Sequence, residues 1–200
     1  MITALELIMP KLEELYNTRV RHYVVKKHTL LVCEQFEKYA FAFDNKCMNM
    51  DLMRLVLAIH DIGKAIDRST QHEHTLSLVR ELWENTPFTE HEFNLVEVLL
   101  RDDHLGSYFQ NKYELSDLKE EIVANATELK MSPSILLQYK MILYQCDIAS
   151  YTKDAGGLKY LEHMFVYENG EKAFDEENGI IAMSEEYADR YVNLKESINE

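Results

Sequence analysis

Residues that break helices are scarce in this chain, since six of its 200 residues are glycine and three are proline. Glycine and proline destabilise the interior of a helix, so their scarcity favours long helices over many short strands joined by turns. Apolar residues recur three or four positions apart along most of the sequence, which is the helical period. This pattern predicts helices over 2–16, 17–43, 49–61, 71–86, 89–103, 115–130, 132–152 and from Ser184 onward.

One late segment departs from the helical pattern. Within 165–182, two short runs flank Asn169 and Gly170, a pair that is typical of a tight β-hairpin turn. The glycine pair at 156–157 is expected to separate this segment from the helices before it. We therefore expect one domain over 1–200 with an all-α fold, a helical bundle with a small late β-hairpin and a C-terminal helix.

The balance of charge narrows the choice of partners. Asp and Glu number 35 and Lys and Arg 21, which gives a net charge of −14. Such a chain repels phosphate backbones, so bulk binding to nucleic acid or to an anionic membrane is disfavoured. A small phosphorylated ligand in a metal-lined or locally positive pocket stays possible.

Cysteine usage and hydropathy indicate the compartment. Cys33, Cys47 and Cys146 are odd in number and widely spaced, which disfavours a disulfide framework or a cysteine zinc site and fits a reducing cytoplasm. No apolar run approaches eighteen residues, and the N-terminal segment carries acids where a signal peptide has basic residues. We expect a cytoplasmic protein without a membrane span.

Several histidines and aspartates occupy inward positions of the predicted helices. His28, His60 and Asp147 each lie four residues after an apolar residue, and Asp61 follows His60 directly. A buried carboxylate is costly unless it is paired or ligated, and a shared divalent cation would remove that cost. Imidazole and carboxylate ligands suit Mn, Fe, Co, Ni or Zn and, less well, Mg. Taken singly, each histidine also fits a hydrogen-bonded core residue, and Asp147 also fits an acceptor for a tyrosine.

Three segments together resemble the HD superfamily of metal-dependent phosphohydrolases. They are LAIHDIGKA at 57–65, KHTLLV at 27–32 and YQCDIA at 144–149. The resemblance covers about 18–155, is closest to the HD domains of tRNA nucleotidyltransferases or to small stand-alone HD domains, and leaves 156–200 as a C-terminal hairpin and helix outside it. It implies an HD-domain helical bundle in which four residues ligate the metal: His28, His60, Asp61 and Asp147.

The same resemblance suggests further site residues. Some members hold a second metal, and the candidates here for that ion or for substrate contacts are His72, His74, Asp103 and His104. His72 begins a continuous inward face and is preferred to His74, whereas His104 also fits a helix C-terminal histidine that interacts with the helix dipole. The cations expected to hold a substrate phosphate are Lys64, Arg68 and Lys27, and for Lys64 a solvated loop lysine is the alternative.

The resemblance implies a hydrolase with one or two divalent ions per chain. A metal-activated water would cleave a phosphomonoester or phosphodiester, with Asp61 or a nearby histidine accepting a proton and Lys64 holding a phosphate oxygen. The acidic surface favours a small substrate such as a nucleotide. Two alternatives stay open at this point: a catalytically idle module that binds a nucleotide or partner, and an HD-type di-iron oxygenase. A homodimer is compatible with either.

Overall fold

A computed structural model describes residues 1–43, 48–152 and 159–199, and most of them are helical. The expected all-α architecture with a late β-hairpin and a C-terminal helix is confirmed. Cys47 and the glycine pair at 156–157 lie outside the described residues. In chain order the α-helices are α1 (Ile2–Ile8), α2 (Lys11–Asn17), α3 (Val25–Phe43), α4 (Met50–Ile59), α5 (Gln71–Trp83), α6 (Glu90–Leu100), α7 (His104–Phe109), α8 (Leu115–Glu128), α9 (Pro133–Ala149) and α10 (Glu185–Ser197).

Short antiparallel hairpins and 3-10 turns complete the described chain. The hairpins are β1 (Arg19–Val20) with β2 (Tyr23–Val24), β3 (Tyr167–Glu168) with β4 (Glu171–Lys172), and β5 (Phe174–Asp175) with β6 (Ile180–Ile181). The 3-10 turns span Ile62–Ala65 and Lys159–Met164. Asn169 and Gly170 have φ of 53° and 85°, the left-handed values that a type I′ turn requires, so the predicted turn is confirmed.

The N-terminal region differs from the short helix and the long helix expected there. The first is interrupted at Met9 (φ −132°, ψ 87°), because Pro10 pushes the residue before it out of helical geometry. The second begins only at Val25, after the β1–β2 hairpin. Two valines and Tyr23 are compatible with extended backbone in that hairpin, and the burial of Val20 holds it in place against the helical spacing.

A second difference concerns the segment after α6. The helix expected to reach Asp103 ends at Leu100, and a separate short helix begins at His104. His104 therefore starts a helix and does not close one, so the alternative of a histidine at a helix C-terminus is wrong. The start of α6 is as expected, because Thr89 and Glu92 form a capping box there.

The described residues divide into two compact units. Unit 1 comprises Met1–Glu34 and Asn49–Asp102. Its core includes α4, on which every side chain from Leu52 to Ile59 except that of Arg54 is buried. A helix that is apolar on all sides lies in the interior, so its C-terminal end delivers the next residues into buried surroundings.

Unit 2 comprises Gln35–Met48 and Asp103–Glu200. Its long helix α9 has Ser132 at the N-cap and Pro133 at the first helical position, as the sequence predicts. α9 packs on α8 and on β6. Across the described ranges of both units, no helix is both long enough and apolar enough to cross a membrane.

Candidate metal centre

Two consecutive elements of unit 1 bring an imidazole and a carboxylate into its core. α4 ends at Ile59 with His60 as its C-cap, and Asp61 then caps the 3-10 turn Ile62–Ala65. His28 comes from the first turn of α3, directly after the β1–β2 hairpin. The sequence expectation that these three side chains point inward is met.

The three side chains form a close cluster. Nε2 of His28 lies 3.2 Å from Oδ2 of Asp61, and Nε2 of His60 lies 3.6 Å from Oδ1 of the same carboxylate. The two imidazole centroids are 5.4 Å apart. One ligand atom of each residue lies within 4.8 Å of those of the other two. His28 is 2 % exposed and Asp61 5 %, so water reaches the cluster poorly.

A backbone carbonyl orients the His60 ring. Nδ1 of His60 lies 2.8 Å from the carbonyl oxygen of Leu57, one turn earlier in α4. Since a carbonyl only accepts hydrogen bonds, Nδ1 donates a hydrogen bond to it, and this bond directs Nε2 toward Asp61. Metal-ligating histidines are commonly held by such a bond on their other nitrogen.

Asp61 also contacts a phenol and an ammonium group. The Tyr23 hydroxyl donates to Oδ2 over 3.1 Å, and Nζ of Lys64 lies 2.6 Å from Oδ1 and 2.7 Å from Oδ2. Burial acts to raise the pKa of Asp61, but the charges of His60 and Lys64 and the hydrogen bond from His28 outweigh it and hold that pKa well below its ordinary range. Asp61 is therefore an anion at neutral pH.

The turn that carries Asp61 and Lys64 is locked against α5. The amide of Gly63 donates to Oγ1 of the buried Thr75 over 3.1 Å. A Cβ on Gly63 would lie 2.0 Å from the Gln71 carbonyl oxygen, so only glycine permits this close approach. The cluster thus rests on a rigid support within unit 1.

The donor set fits a divalent cation. Two imidazole nitrogens and one carboxylate, all nearly excluded from water, are ligands that Mn, Fe, Co, Ni and Zn accept. The protein therefore has buried histidine and aspartate groups positioned to bind a metal ion.

Asp147, the fourth expected ligand, belongs to unit 2. It lies near the C-terminal end of α9, is half-buried, and follows Tyr144 by one turn. Burial first, and then the charges of Asp103, Tyr187 and Asp147, raise the pKa of the Tyr144 phenol. Participation of Asp147 in a metal site stays a prediction from the sequence.

The other expected site residues of unit 1 lie on α5, just before α5 and on α3. Nδ1 of His72 lies 2.8 Å from the Leu100 carbonyl oxygen, and its Nε2 lies 3.2 Å from Nε2 of Gln71. His74 is half-buried two residues further on. Arg68 and Lys27 are both exposed to solvent. Their roles toward a second metal or a phosphate stay predictions.

Asp103 and His104 lie at the start of α7 in unit 2. Nδ1 of His104 lies 2.6 Å from Oε2 of Glu121, and its ring stacks on Tyr113 at 4.4 Å between centroids. The Asp103 carboxylate lies over the first turn of α7, where a Cβ on Gly106 would meet it at 2.3 Å. His104 is thus engaged with a carboxylate and an aromatic ring of its own unit.

Tyr23 is a site residue that the sequence pattern did not reveal. Its ring lies 4.9 Å from that of His28, and its hydroxyl reaches Asp61, which is 38 residues away in the chain. A prediction of one long helix from 17 onward hides this role, because it assigns Tyr23 to a helix. A hairpin prediction from the local valines would have been needed to find it.

Comparisons with known proteins do not add a relative. No protein-family model matches the chain, no curated protein is similar to it, and no solved structure matches its fold.

Proposed function

We propose that the protein is a metal-dependent phosphohydrolase. It would cleave a phosphomonoester or phosphodiester of a nucleotide or another small phosphorylated compound. The observation that carries this proposal is the buried cluster of His28, His60 and Asp61 with the Lys64 ammonium beside it. A metal-ligand set next to a phosphate-binding cation is what phosphate ester hydrolysis requires.

Three residues of unit 1 would hold the ion, and the sequence predicts Asp147 as the fourth ligand. The candidate ions are Mn, Fe, Co, Ni, Mg and Zn. A bound ion would supply Lewis acidity for polarising a phosphoryl oxygen and for lowering the pKa of a water molecule. His60 needs little reorganisation to take part, since the Leu57 carbonyl already fixes its ring.

The chain's own charged groups would bind the ester and the attacking water. Lys64 would donate to a non-bridging phosphate oxygen, as a flexible point charge within reach of the cluster. Asp61, ionised at neutral pH, would accept a hydrogen bond from the water and help to orient it. Exposed Lys27 and Arg68 would add positive charge for an approaching anion.

The charge of the whole chain limits the substrate. A net charge of −14 repels long polyanions, whereas a small phosphate ester responds mainly to the local cations and the ion. The scattered cysteines agree with action in the cytoplasm.

Metal binding is the first test. The purified protein, stripped with a chelator, is titrated with Mn²⁺, Ni²⁺, Zn²⁺ and Mg²⁺ by calorimetry, alongside His60→Ala and His28→Ala. We expect saturable binding that either substitution weakens by at least about 10-fold. His91→Ala, which alters an exposed histidine of α6, is the matched control and should bind like the wild type.

Hydrolysis is the second test. Metal-loaded protein is screened against phosphomonoesters, phosphodiesters and nucleotides, with His60→Ala and Asp61→Ala in parallel. We expect turnover in the wild type and loss of at least 100-fold in both variants. Equal turnover by the variants would assign the activity to a contaminant or to another site and would refute the proposal. Tight metal binding without turnover of any ester would instead favour a binding module.

A further inference from the structure

Some of the lysines and arginines of unit 1 form ion pairs with carboxylates, and others do not. All Lys and Arg residues of unit 1 are described, and there are ten of them. Six form ion pairs with carboxylates, namely Lys11, Lys26, Arg54, Lys64, Arg80 and Arg101. Within the described chain the other four have no such pair, and they are Arg19, Arg21, Lys27 and Arg68.

These four cations occur in the two segments that carry the metal-ligand candidates. Arg19, Arg21 and Lys27 precede His28, and Arg68 follows Asp61 and the 3-10 turn. The chain has far more acids than bases, with 35 against 21. In such an acidic chain, cations that have no carboxylate partner indicate a binding site for an external anion.

The β1–β2 hairpin (Arg19–Val24) fixes two of them, and we call it the basic hairpin. Within this hairpin, Val20 is buried, and Arg19 and Arg21 are exposed. Arg21 has φ of 51°, a left-handed value that residues other than glycine rarely adopt. Nε of Arg19 donates to the Arg21 carbonyl over 3.3 Å, which leaves its terminal nitrogens for another acceptor.

The basic hairpin adjoins the candidate metal centre. Tyr23, in its second strand, donates to Asp61 over 3.1 Å and lies on the His28 ring. Its first strand packs against the 3-10 turn Ile62–Ala65, which carries Lys64. The two exposed arginines therefore lie on an element that contacts the cluster through Tyr23 and the Lys64 turn through its first strand.

We propose that the basic hairpin binds a second phosphate group, so that the substrate of this site carries two or more phosphates. The claim that such a compound is hydrolysed rests on the proposed function, whereas the claim that the hairpin binds a second phosphate does not. Lys64 and the ion suffice for one phosphate, whereas Arg19 and Arg21 supply planar forks that match the oxygens of another. The ligand class is a diphosphate, triphosphate or bisphosphate of a small molecule.

The test is a binding measurement with two probes that differ in one phosphonate group. Methylphosphonate and methylenediphosphonate, neither of which is a phosphate ester, are titrated into protein saturated with Mg²⁺, with the same free Mg²⁺ in both solutions. We expect at least 10-fold tighter binding of the diphosphonate by the wild type.

Neutral variants locate the second subsite. Arg19→Gln keeps a long polar side chain, and Arg21→Asn removes the charge with a residue that tolerates positive φ. Each substitution should weaken the binding of methylenediphosphonate at least 5-fold. The affinity for methylphosphonate should stay within 2-fold of the wild-type value. Lys112→Ala, an exposed cation of unit 2, is the charge-matched control and should change neither affinity.

Several results would overturn the inference. They are equal affinity of the wild type for both probes, an unchanged preference in both variants, and tighter binding of single-stranded RNA than of the diphosphonate. Because the probes are not substrates, a protein that hydrolyses nothing can still show the preference. Conversely, an active hydrolase without the preference would refute only the second subsite.

Discussion

Asp61 shows how one residue is kept charged inside a protein. Its carboxylate is contacted by His28, His60, Lys64 and Tyr23, which together surround both oxygens. Burial alone would neutralise it, but these neighbours outweigh burial and keep the pKa low. A carboxylate that is already anionic and oriented needs no proton loss before it can ligate a cation.

Tyr23→Phe tests whether the phenol orients that carboxylate. We expect about 10-fold weaker metal binding, because hydrogen bonds to ligating groups typically have effects of this size. Tyr16→Phe is the control, since it removes a buried hydroxyl of the same unit that donates to the Ala58 carbonyl over 2.6 Å. Tyr16→Phe should lower the free energy of unfolding by about 1 kcal/mol and leave the metal affinity unchanged. Equal metal affinity in the two variants would show that Tyr23 plays no part in the centre.

At this scale the sequence predicted the cluster better than its surroundings. Helical spacing was enough to predict that His28 on α3 and His60 after α4 point inward. For His60 the physical reason is that α4 is buried on nearly every side. Tyr23 and Thr75 could not be found in the same way. Their contacts with Asp61 and Gly63 depend on how a hairpin and α5 pack on one turn, and periodicity carries no information on such packing.

The 3-10 turn Ile62–Ala65 and α5 act as one structural element. Gly63 allows the turn to approach α5 so closely that a methyl group would lie 2.0 Å from the Gln71 carbonyl oxygen and 2.6 Å from Oγ1 of Thr75. A backbone carbonyl cannot rotate aside, so any larger residue must separate the two elements. The position of Asp61 depends on this contact.

Gly63→Ala should therefore lower the free energy of unfolding by about 1–3 kcal/mol in urea denaturation. We also expect weaker metal binding, since the Asp61 backbone would shift with the turn. Gly170→Asn is the control, because a Cβ there meets nothing within 4 Å and Asn tolerates the φ of 85°. A stability of Gly63→Ala equal to that of the control would mean that the two elements can separate freely.

Local signals gave the helix boundaries where the stabilising contacts are local. The capping box of Thr89 and Glu92 and the Ser132-Pro133 start of α9 involve neighbours within one turn. The β1–β2 hairpin was missed for the opposite reason. Helix propensity is a weak preference, and tertiary contacts of Val20 and Tyr23 override it.

For the molecule as a whole, the cluster links metal binding to stability. A ligand that binds only the folded state raises the free energy of unfolding by RT ln(1 + [L]/Kd), or about 2.7 kcal/mol at 100 times Kd. The unfolded chain cannot hold His28, His60 and Asp61 together, because they span more than thirty positions of sequence. Metal should therefore act as a stabiliser of the fold.

Thermal unfolding with and without metal tests this linkage. At 100 times Kd the ion should raise Tm by about 5–10 °C for a chain of 200 residues, as each kcal/mol shifts Tm by roughly 2–4 °C at this size. His60→Ala should show no shift under the same conditions. Asp147→Asn addresses the ligand that the sequence predicts from unit 2, and a shift clearly smaller than that of the wild type at equal ion concentration would support it. A full shift in Asp147→Asn would restrict the centre to the three residues of unit 1, and a full shift in His60→Ala would place the stabilising ion elsewhere.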